Sequence, residues 1–218
     1  GKYCEKNKIT LPSVKYLVMF GAPVRNKLHE KFNRILPNGT TYTPYGATES
    51  LPVANISGKI TLEQTAAMTA QGRGTCVGQP VPGVDVAIIA ISDDVIENMS
   101  ETRILNPYDI GEIIVKGDIV TASYYQSPLE TAQAKIKDGL SFWHRIGDLG
   151  YQDDQGRIWF CGRKTHRVET PSGLLCSVMC EAIFNTHRGV KRSALVGIGE
   201  KGKQSPAIVI ERNAAGRK

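Results

Sequence analysis

The first fifty residues alternate between strand-like and helix-like patterns, and this alternation constrains the fold more than any other feature of the sequence. A short apolar run at 15–20 predicts a buried strand, which ends at Gly21-Ala22-Pro23. Apolar residues then recur at helical spacing over 24–36, Pro37-Asn38-Gly39 ends that helix, and the β-rich segment 40–43 follows. A strand–helix–strand unit with a polar loop after each strand predicts an α/β fold, in which ligands bind at the carboxyl ends of the strands.

The residue pattern changes near residue 80 and again after residue 164, which predicts three parts. Residues 1–80 hold the α/β portion, 81–164 are predicted to form a small barrel-like β-subdomain, and 165–218 to begin a small α+β domain. This division depends on one helix predicted at 175–185 and on strands predicted at 84–91, 111–117, 157–162, 193–198 and 207–210.

The amino-acid composition limits which classes of protein this chain can belong to. Of the 218 residues, 41% are hydrophobic and 22% are charged, as expected for a folded core. The net charge of +6 is dispersed, which suits an anionic ligand, and no block of like charges indicates a nucleic-acid partner. No apolar run reaches the ~18 residues of a membrane span, and the first residues do not form a signal peptide. These features predict a cytoplasmic protein.

The cysteines favour the same compartment. There are five of them, none in a CxxC pair, so we expect reduced and mostly buried thiols. The alternative is a metal site formed by Cys161, His166, Cys176 and Cys180, but the spacing of these residues matches no metal-binding pattern.

The segment Tyr45-Gly46-Ala47-Thr48-Glu49 follows a predicted strand and carries groups that suit a nucleotide. The aromatic face can stack on a purine, and the glycine permits close approach of the backbone. The hydroxyl and the carboxylate can bind phosphate oxygens and Mg²⁺ respectively. By itself the pentapeptide is equally compatible with a solvated loop.

Two further loops offer polar groups at strand ends. Asp148 lies between glycines, where its carboxylate can accept both hydroxyls of a ribose or can instead bond to its own turn. Arg163 and Lys164 follow another strand and suit phosphate or ribose oxygens, although a surface cation pair has the same sequence.

The order of these motifs decides between the alternatives. From about residue 14 to the end, the chain resembles the adenylate-forming (AMP-binding) superfamily of acyl-CoA synthetases, luciferases and peptide-synthetase adenylation domains. The motifs that carry the resemblance are GAP at 21–23, YGATE at 45–49, GEIIVKG at 111–117, HRIGDLGY at 144–151 and CGRK at 161–164. The implied fold is the C-terminal part of a large α/β N-terminal domain, followed by the start of an α+β lid domain at 165–218.

The resemblance implies a role for each nucleotide-contacting position. Adenine lies between the turn Gly21-Ala22-Pro23 and the ring of Tyr45, and Gly46 belongs to the same binding loop. Asp148 holds the ribose hydroxyls, and Arg163 reaches the ribose and the phosphate.

The resemblance also implies the chemistry. Thr48 contacts the phosphates, and Glu49 binds the Mg²⁺ that bridges the phosphates of ATP. The carboxylate of a small-molecule substrate, expected to be a fatty acid, attacks the α-phosphorus and yields acyl-AMP and pyrophosphate. No general base is required because the nucleophile is already an anion, so His144 and His166 are predicted to be structural or surface residues.

The sequence departs from the family in several places. The Ser/Thr/Gly-rich phosphate loop and the lysine that contacts the acyl phosphate are absent, so we expect a fragment that cannot complete adenylation alone. Thr165 occupies the hinge position, where Asp or Lys is usual. Three stretches, GRKTHRVET at 162–170, CEAIFN at 180–185 and SALVG at 193–197, resemble the branch from olefin-forming gene clusters that contains β-lactone synthetases.

Three hypotheses follow. The first is a fatty acyl-CoA synthetase or ligase, with coenzyme A as co-substrate. The second is a β-lactone synthetase, in which the hydroxyl of a long-chain β-hydroxy acid displaces AMP without coenzyme A. The third is a non-catalytic nucleotide-binding module.

Overall fold

One path of hydrogen-bonded strands runs through most of the protein in a computed structural model, which describes residues 1–213. Nine strands form this sheet in the order β1-β2-β3-β4-β9-β8-β6-β5, and β7 pairs with β8 outside that path. The strands are β1 (Tyr16–Val18), β2 (Thr40–Ala47), β3 (Ser50–Ser57), β4 (Thr75–Pro80), β5 (Val84–Ile89), β6 (Gly111–Gly117), β7 (Lys135–Asp138), β8 (Ser141–Gln152) and β9 (Ile158–Arg163). The fold is therefore mixed α/β, as predicted.

Helices connect and cover these strands. They are α1 (Lys2–Lys6), α2 (Asn26–Ile35), α3 (Gly58–Ile60), α4 (Ala66–Ala70), α5 (Pro128–Ala134) and α6 (Ser177–Phe184). A π-helical turn, Thr61–Thr65, joins α3 to α4, so residues 58–70 form one continuous helical segment. Among the described helices, none has the length and apolar character that crossing a bilayer would require.

The N-terminal unit follows the predicted strand–helix–strand order. β1 and β2 are parallel, and Tyr16 pairs with Thr40. His29 of α2 is buried and hydrogen-bonds to Thr41 of β2 at 2.7 Å, which anchors the helix on the sheet. Because parallel strands point the same way, the loop after β1 and the turn after β2 lie toward the same edge of the sheet.

The prediction that the first strand is buried is wrong. Tyr16 and Val18 are 71% and 52% exposed, and Phe20, just beyond the strand, is 66% exposed. β1 is an edge strand of only three residues, and α2 packs on β2 beside it. The apolar run therefore identifies a strand but not its burial.

The core lies around the central strands β6, β8 and β9. Ile113, Ile114 and Val115 are successive residues of β6 with no exposed surface, so both faces of this strand are covered. Trp159 is also fully buried, and its indole Nε1 donates to Asp153 Oδ2 at 2.8 Å. β4 pairs with both β3 and β9, so the sheet continues across residue 80, and the division predicted there stays a prediction.

Strand pairing starts anew after Arg163. A 3₁₀ turn at Lys164–His166 leads to the hairpin of β10 (Val168–Thr170) and β11 (Gly173–Leu175), and β12 (Val190–Ile198) pairs with β13 (Ser205–Arg212). Between these hairpins α6 packs on β9 and β12. Arg167 and Lys201 both form ion pairs with Asp93, which follows β5, so this part contacts the rest of the protein.

Candidate functional site

Three predicted site residues from distant parts of the chain form one hydrogen-bonded group. The hydroxyl of Tyr45 donates to Asp148 Oδ2 at 2.6 Å, and Arg163 Nη1 donates to Asp148 Oδ1 at 2.8 Å. Asp148 and Arg163 are direct partners across the antiparallel pair β8–β9. Tyr45 lies on β2, which is four strands away from β8, the strand of Asp148, in the strand order. In a flat sheet, four strand spacings would separate β2 from β8 by about 19 Å. The sheet must therefore curl strongly to bring these side chains together.

The surroundings of Asp148 set its charge and its orientation. The residue is 3% exposed, and this burial raises the pKa of its carboxyl, while the bonds from Tyr45 and Arg163 act against that rise. Burial and the neighbouring carboxylate raise the pKa of Tyr45 well above its usual value, so the hydroxyl remains a donor. Arg163 keeps half of its side chain exposed and can meet a ligand while it holds Asp148.

Irregularities of the strands lie beside these residues. The register of β2 with β3 shifts between Tyr45 and Ala47, around Gly46. A Cβ atom at Gly46 would stand 2.3 Å from the carbonyl oxygen of Ser50, so the glycine permits close approach of the chain to itself. Bulges of this kind re-aim side chains next to binding sites.

The turn Gly21-Ala22-Pro23 remains an exposed loop after β1. Gly21 has φ of +92°, which favours glycine, and no atom lies within 4 Å of the position of a Cβ there. Within residues 1–213, no hydrogen bond or ring contact joins this turn to Tyr45, whose ring instead lies 6.0 Å from that of Phe160. The turn follows β1 and Tyr45 lies on the neighbouring strand β2, yet no hydrogen bond or ring contact joins the two within the described residues.

Thr48 and Glu49 form the turn between β2 and β3. Thr48 is exposed, whereas Glu49 is half-buried and its Oε1 accepts the hydroxyl proton of Tyr124 at 2.8 Å. Burial by itself would raise the pKa of Glu49, but the bonds from Tyr124 and from its own backbone amide, together with the positive charge of Lys135, bring it below its usual value. The carboxylate is therefore ionised at neutral pH.

A cavity of about 400 Å³ is lined by neighbours of both groups. They are Tyr124, the partner of Glu49, and Gly147, which precedes Asp148. The remaining lining residues are Ser127, Glu130, Gln133 and Ala134 near α5 together with Glu112, Arg145 and Lys164.

The charged part of this lining is a buried ion cluster that the sequence analysis missed. Glu112 has no exposed surface and accepts from Arg145 at 2.7 Å and from Lys164 at 3.1 Å. Lys164 thus points to Glu112, whereas its neighbour Arg163 points to Asp148. A charged residue at a position that otherwise fits a buried strand, as Glu112 does in Gly111–Gly117, is the sequence signal for such a cluster.

His144 is fully buried and neutral. Its Nδ1 lies 3.2 Å from the carbonyl oxygen of Ala134, and burial lowers its pKa to about 4. Its Nε2 has no hydrogen-bond partner within the described part of the chain.

The donor set suits one kind of metal ion. In residues 1–213 no group of three or more His, Cys, Asp or Glu residues could hold a metal by itself. Burial raises the pKa of Cys176 to about 11 and that of Cys161 further, so these thiols stay protonated. Glu49 and Thr48 instead offer one carboxylate and one hydroxyl, which fits a Mg²⁺ ion that shares its ligands with the phosphates of a nucleotide and with water.

Comparison with protein families and curated sequences gives matches along most of the chain. The model of the AMP-binding enzyme family matches residues 2–125. Olefin beta-lactone synthetase of Xanthomonas campestris pv. campestris is 46% identical over 207 residues, which cover 92% of this chain and 37% of that protein. The long-chain-fatty-acid–CoA ligase of Bacillus subtilis is 26% identical over 207 residues, with 94% and 33% coverage. The chain thus spans about a third of the length of these relatives.

Solved structures of the same fold include o-succinylbenzoate CoA synthetase (MenE) from Bacillus subtilis in complex with its acyl-adenylate intermediate. It matches with a TM-score of 0.72 at 20% identity, covering 97% of this chain and 39% of that one. Amide bond synthetase McbA from Marinactinospora thermotolerans matches with a TM-score of 0.71 at 22% identity, covering 92% and 37%. The arrangement of strands described above is therefore that of adenylate-forming enzymes.

Proposed function

Because this chain belongs to the AMP-binding enzyme family, we propose that it carries nucleotide-binding residues of an enzyme that activates a carboxylic acid with ATP. The observation that carries this proposal is the bonded group of Tyr45, Asp148 and Arg163. A cavity lined by Gly147, which precedes Asp148, is also lined by Tyr124, the hydrogen-bond partner of Glu49. Drift to a non-catalytic module would be expected to disrupt some of these contacts, so their presence together favours an enzyme.

In this proposal the nucleotide lies along the curled edge of the sheet. Adenine packs between the turn Gly21-Ala22-Pro23 and the loop of Tyr45 and Gly46. Asp148, held by two hydrogen bonds, accepts the ribose hydroxyls, and the exposed part of Arg163 contacts the ribose and the phosphate. A site oriented before the ligand arrives loses less conformational entropy on binding.

The reaction needs position and charge more than acid–base chemistry. A carboxylate oxygen of the acid attacks the α-phosphorus of ATP, the bond to the β-phosphate oxygen breaks, and its electron pair leaves with pyrophosphate. Mg²⁺, when bound, neutralises the charge of the phosphate oxygens. Thr48 holds a phosphate oxygen and Glu49 supplies the carboxylate ligand, so the protein acts mainly by positioning and electrostatics.

The acceptor of the acyl group is proposed from the likeness to curated proteins. The 46% identity with olefin beta-lactone synthetases, against 26% with a CoA ligase, favours closure of a β-hydroxy acid. In that step the β-hydroxyl oxygen attacks the acyl carbon, the bond to AMP breaks, AMP leaves, and the hydroxyl proton passes to solvent. An intramolecular acceptor is part of the activated acid itself, so no coenzyme A is required, and the attack is favoured when the site holds the hydroxyl close to the acyl carbon.

The second candidate is an acyl-CoA ligase, in which the thiol of coenzyme A takes the place of the hydroxyl. It is favoured by the fatty-acid–CoA ligase match, which covers 94% of this chain.

The test uses the full-length protein with Mg-ATP and a long-chain β-hydroxy acid, without coenzyme A, and product masses are recorded. A product lighter than the acid by one water, together with free AMP, supports lactone formation. The matched control is the acid of equal length without the hydroxyl, which should yield acyl-AMP and pyrophosphate but no lactone. Turnover that begins only when coenzyme A is added supports the ligase, and no pyrophosphate with either acid refutes adenylation.

A further inference from the structure

The loop between β6 and α5 forms hydrogen bonds with both the backbone and the side chain of Glu49. The amide of Thr121 donates to the carbonyl oxygen of Glu49 at 2.9 Å. The hydroxyl of Tyr124 donates to the carboxylate oxygen Oε1 of the same residue at 2.8 Å. Within residues 1–213, Tyr124 supplies the one side-chain hydrogen bond to this carboxylate, and the backbone amide of Glu49 itself also contributes, so Tyr124 is the one hydrogen-bond partner from another part of the chain.

The loop itself is held in place by α5 and β7. The amide of Tyr124 donates to Thr131 Oγ1 at 3.0 Å, and that hydroxyl donates to the carbonyl oxygen of Ser127 at 2.8 Å. Lys135, at the start of β7, donates to the carbonyl oxygen of Thr121 and lies over the ring of Phe142. Tyr124, which donates to Glu49, therefore lies in a loop that is bonded to α5 and β7. The same residue also lines the 400 Å³ cavity.

We propose that Tyr124 is a positioning residue that orients the Glu49 carboxylate for the metal ion of the nucleotide. This inference rests on the proposed function. With Oε1 bonded to the hydroxyl, the carboxylate cannot rotate freely, and Oε2 keeps one direction in which it can meet a hard cation. Metal ligands held by such neighbouring hydrogen bonds bind more tightly than free ones, because less orientational freedom is lost on binding.

The test measures binding without turnover. The full-length protein is titrated with ATP by calorimetry in the absence of any acid, first with EDTA and then at a series of Mg²⁺ concentrations. The variant Tyr124→Phe removes only the hydroxyl. Tyr125→Phe is the matched control, since this neighbouring tyrosine is 87% exposed and donates nothing to Glu49.

For Tyr124→Phe we expect the Mg²⁺ concentration that gives half-maximal ATP binding to rise about fivefold, the effect of one hydrogen bond. Affinity for ATP in EDTA should stay at the wild-type value, and Tyr125→Phe should match wild type in both titrations. Thr131→Val, which loosens the loop without touching Glu49, should shift the Mg²⁺ requirement in the same direction by a smaller factor.

Three results would overturn the inference. An unchanged Mg²⁺ requirement in Tyr124→Phe would show that the bond does not position the carboxylate, whatever the result for Thr131→Val. An equal loss of affinity with and without Mg²⁺ would assign Tyr124 a general structural role. Wild-type protein that binds no ATP at any Mg²⁺ concentration would refute the proposed function itself, and the inference with it.

Discussion

The ion cluster of Glu112 gives the sharpest test of what stabilises the curled sheet. Glu112 accepts two bonds from Arg145, at 3.1 and 2.7 Å, and further bonds from Lys164. The side chains of the two cations are only 4% and 16% exposed. Replacing Glu112 by Gln keeps the shape of the side chain but leaves two buried cations without their counter-charge.

The size of the effect follows from what remains around each cation. Removing one partner of a buried ion pair typically costs about 3–5 kcal/mol. Arg145 retains three backbone acceptors, the carbonyl oxygens of Ser92, Asp94 and Gln133, and Lys164 retains that of Ser92. Because these carbonyls still compensate part of the charge, we expect the lower end, a loss of about 3 kcal/mol in the free energy of unfolding.

Urea unfolding followed by tryptophan fluorescence measures this loss, because Trp159 lies in the core of the same sheet. Glu211→Gln is the matched control, since Glu211 also pairs with two cations, Lys191 and Arg192, but at the surface. Surface pairs contribute little, so the control should unfold close to wild type. The reasoning is refuted if Glu112→Gln shifts the transition no more than the control does.

Three further predictions concern the site and the thiols. Asp148→Asn should weaken ATP binding about tenfold or more, since it removes the charged acceptor of the ribose hydroxyls, and unchanged affinity in calorimetry would contradict that role. Tyr45→Phe removes a hydrogen bond that lowers the pKa of Asp148, so on acidification ATP binding should be lost at a higher pH than in the wild type. An unchanged pH profile of ATP binding would contradict this role of Tyr45. Cys161 and Cys176 are buried and have raised pKa values, so they should resist iodoacetamide at pH 8 while half-buried Cys4 reacts. Peptide mass mapping measures the labelling of each thiol, and equal labelling of the three would show that burial does not protect Cys161 and Cys176.

Local sequence patterns predicted several elements within a few residues. The strand Gly111–Gly117 has the predicted bounds, because its apolar run is flanked by glycines. The helix expected over 24–36 is Asn26–Ile35, since periodicity and the following Pro37-Asn38-Gly39 both limit it. β3 was missed because Pro52, Asn55 and the serines at its ends interrupt any apolar pattern over Ser50–Ser57. The short elements α5 and β7 were missed because a few residues carry too little periodicity.

The sequence by itself determined the family and the identity of the candidate site residues, because these depend on the order of motifs along the chain. Tertiary structure decided which of them touch. Tyr45 and Asp148 are 103 residues apart and meet only because the sheet curls, and such non-local pairing leaves no trace in local patterns. Arg163 and Lys164 are neighbours, yet one bonds to Asp148 and the other to Glu112, because β9 ends at Arg163 and Lys164 opens the 3₁₀ turn that follows it. Both carboxylates are buried, and only the assembled sheet decides that Asp148 meets Tyr45 and Arg163 while Glu112 meets Arg145 and Lys164.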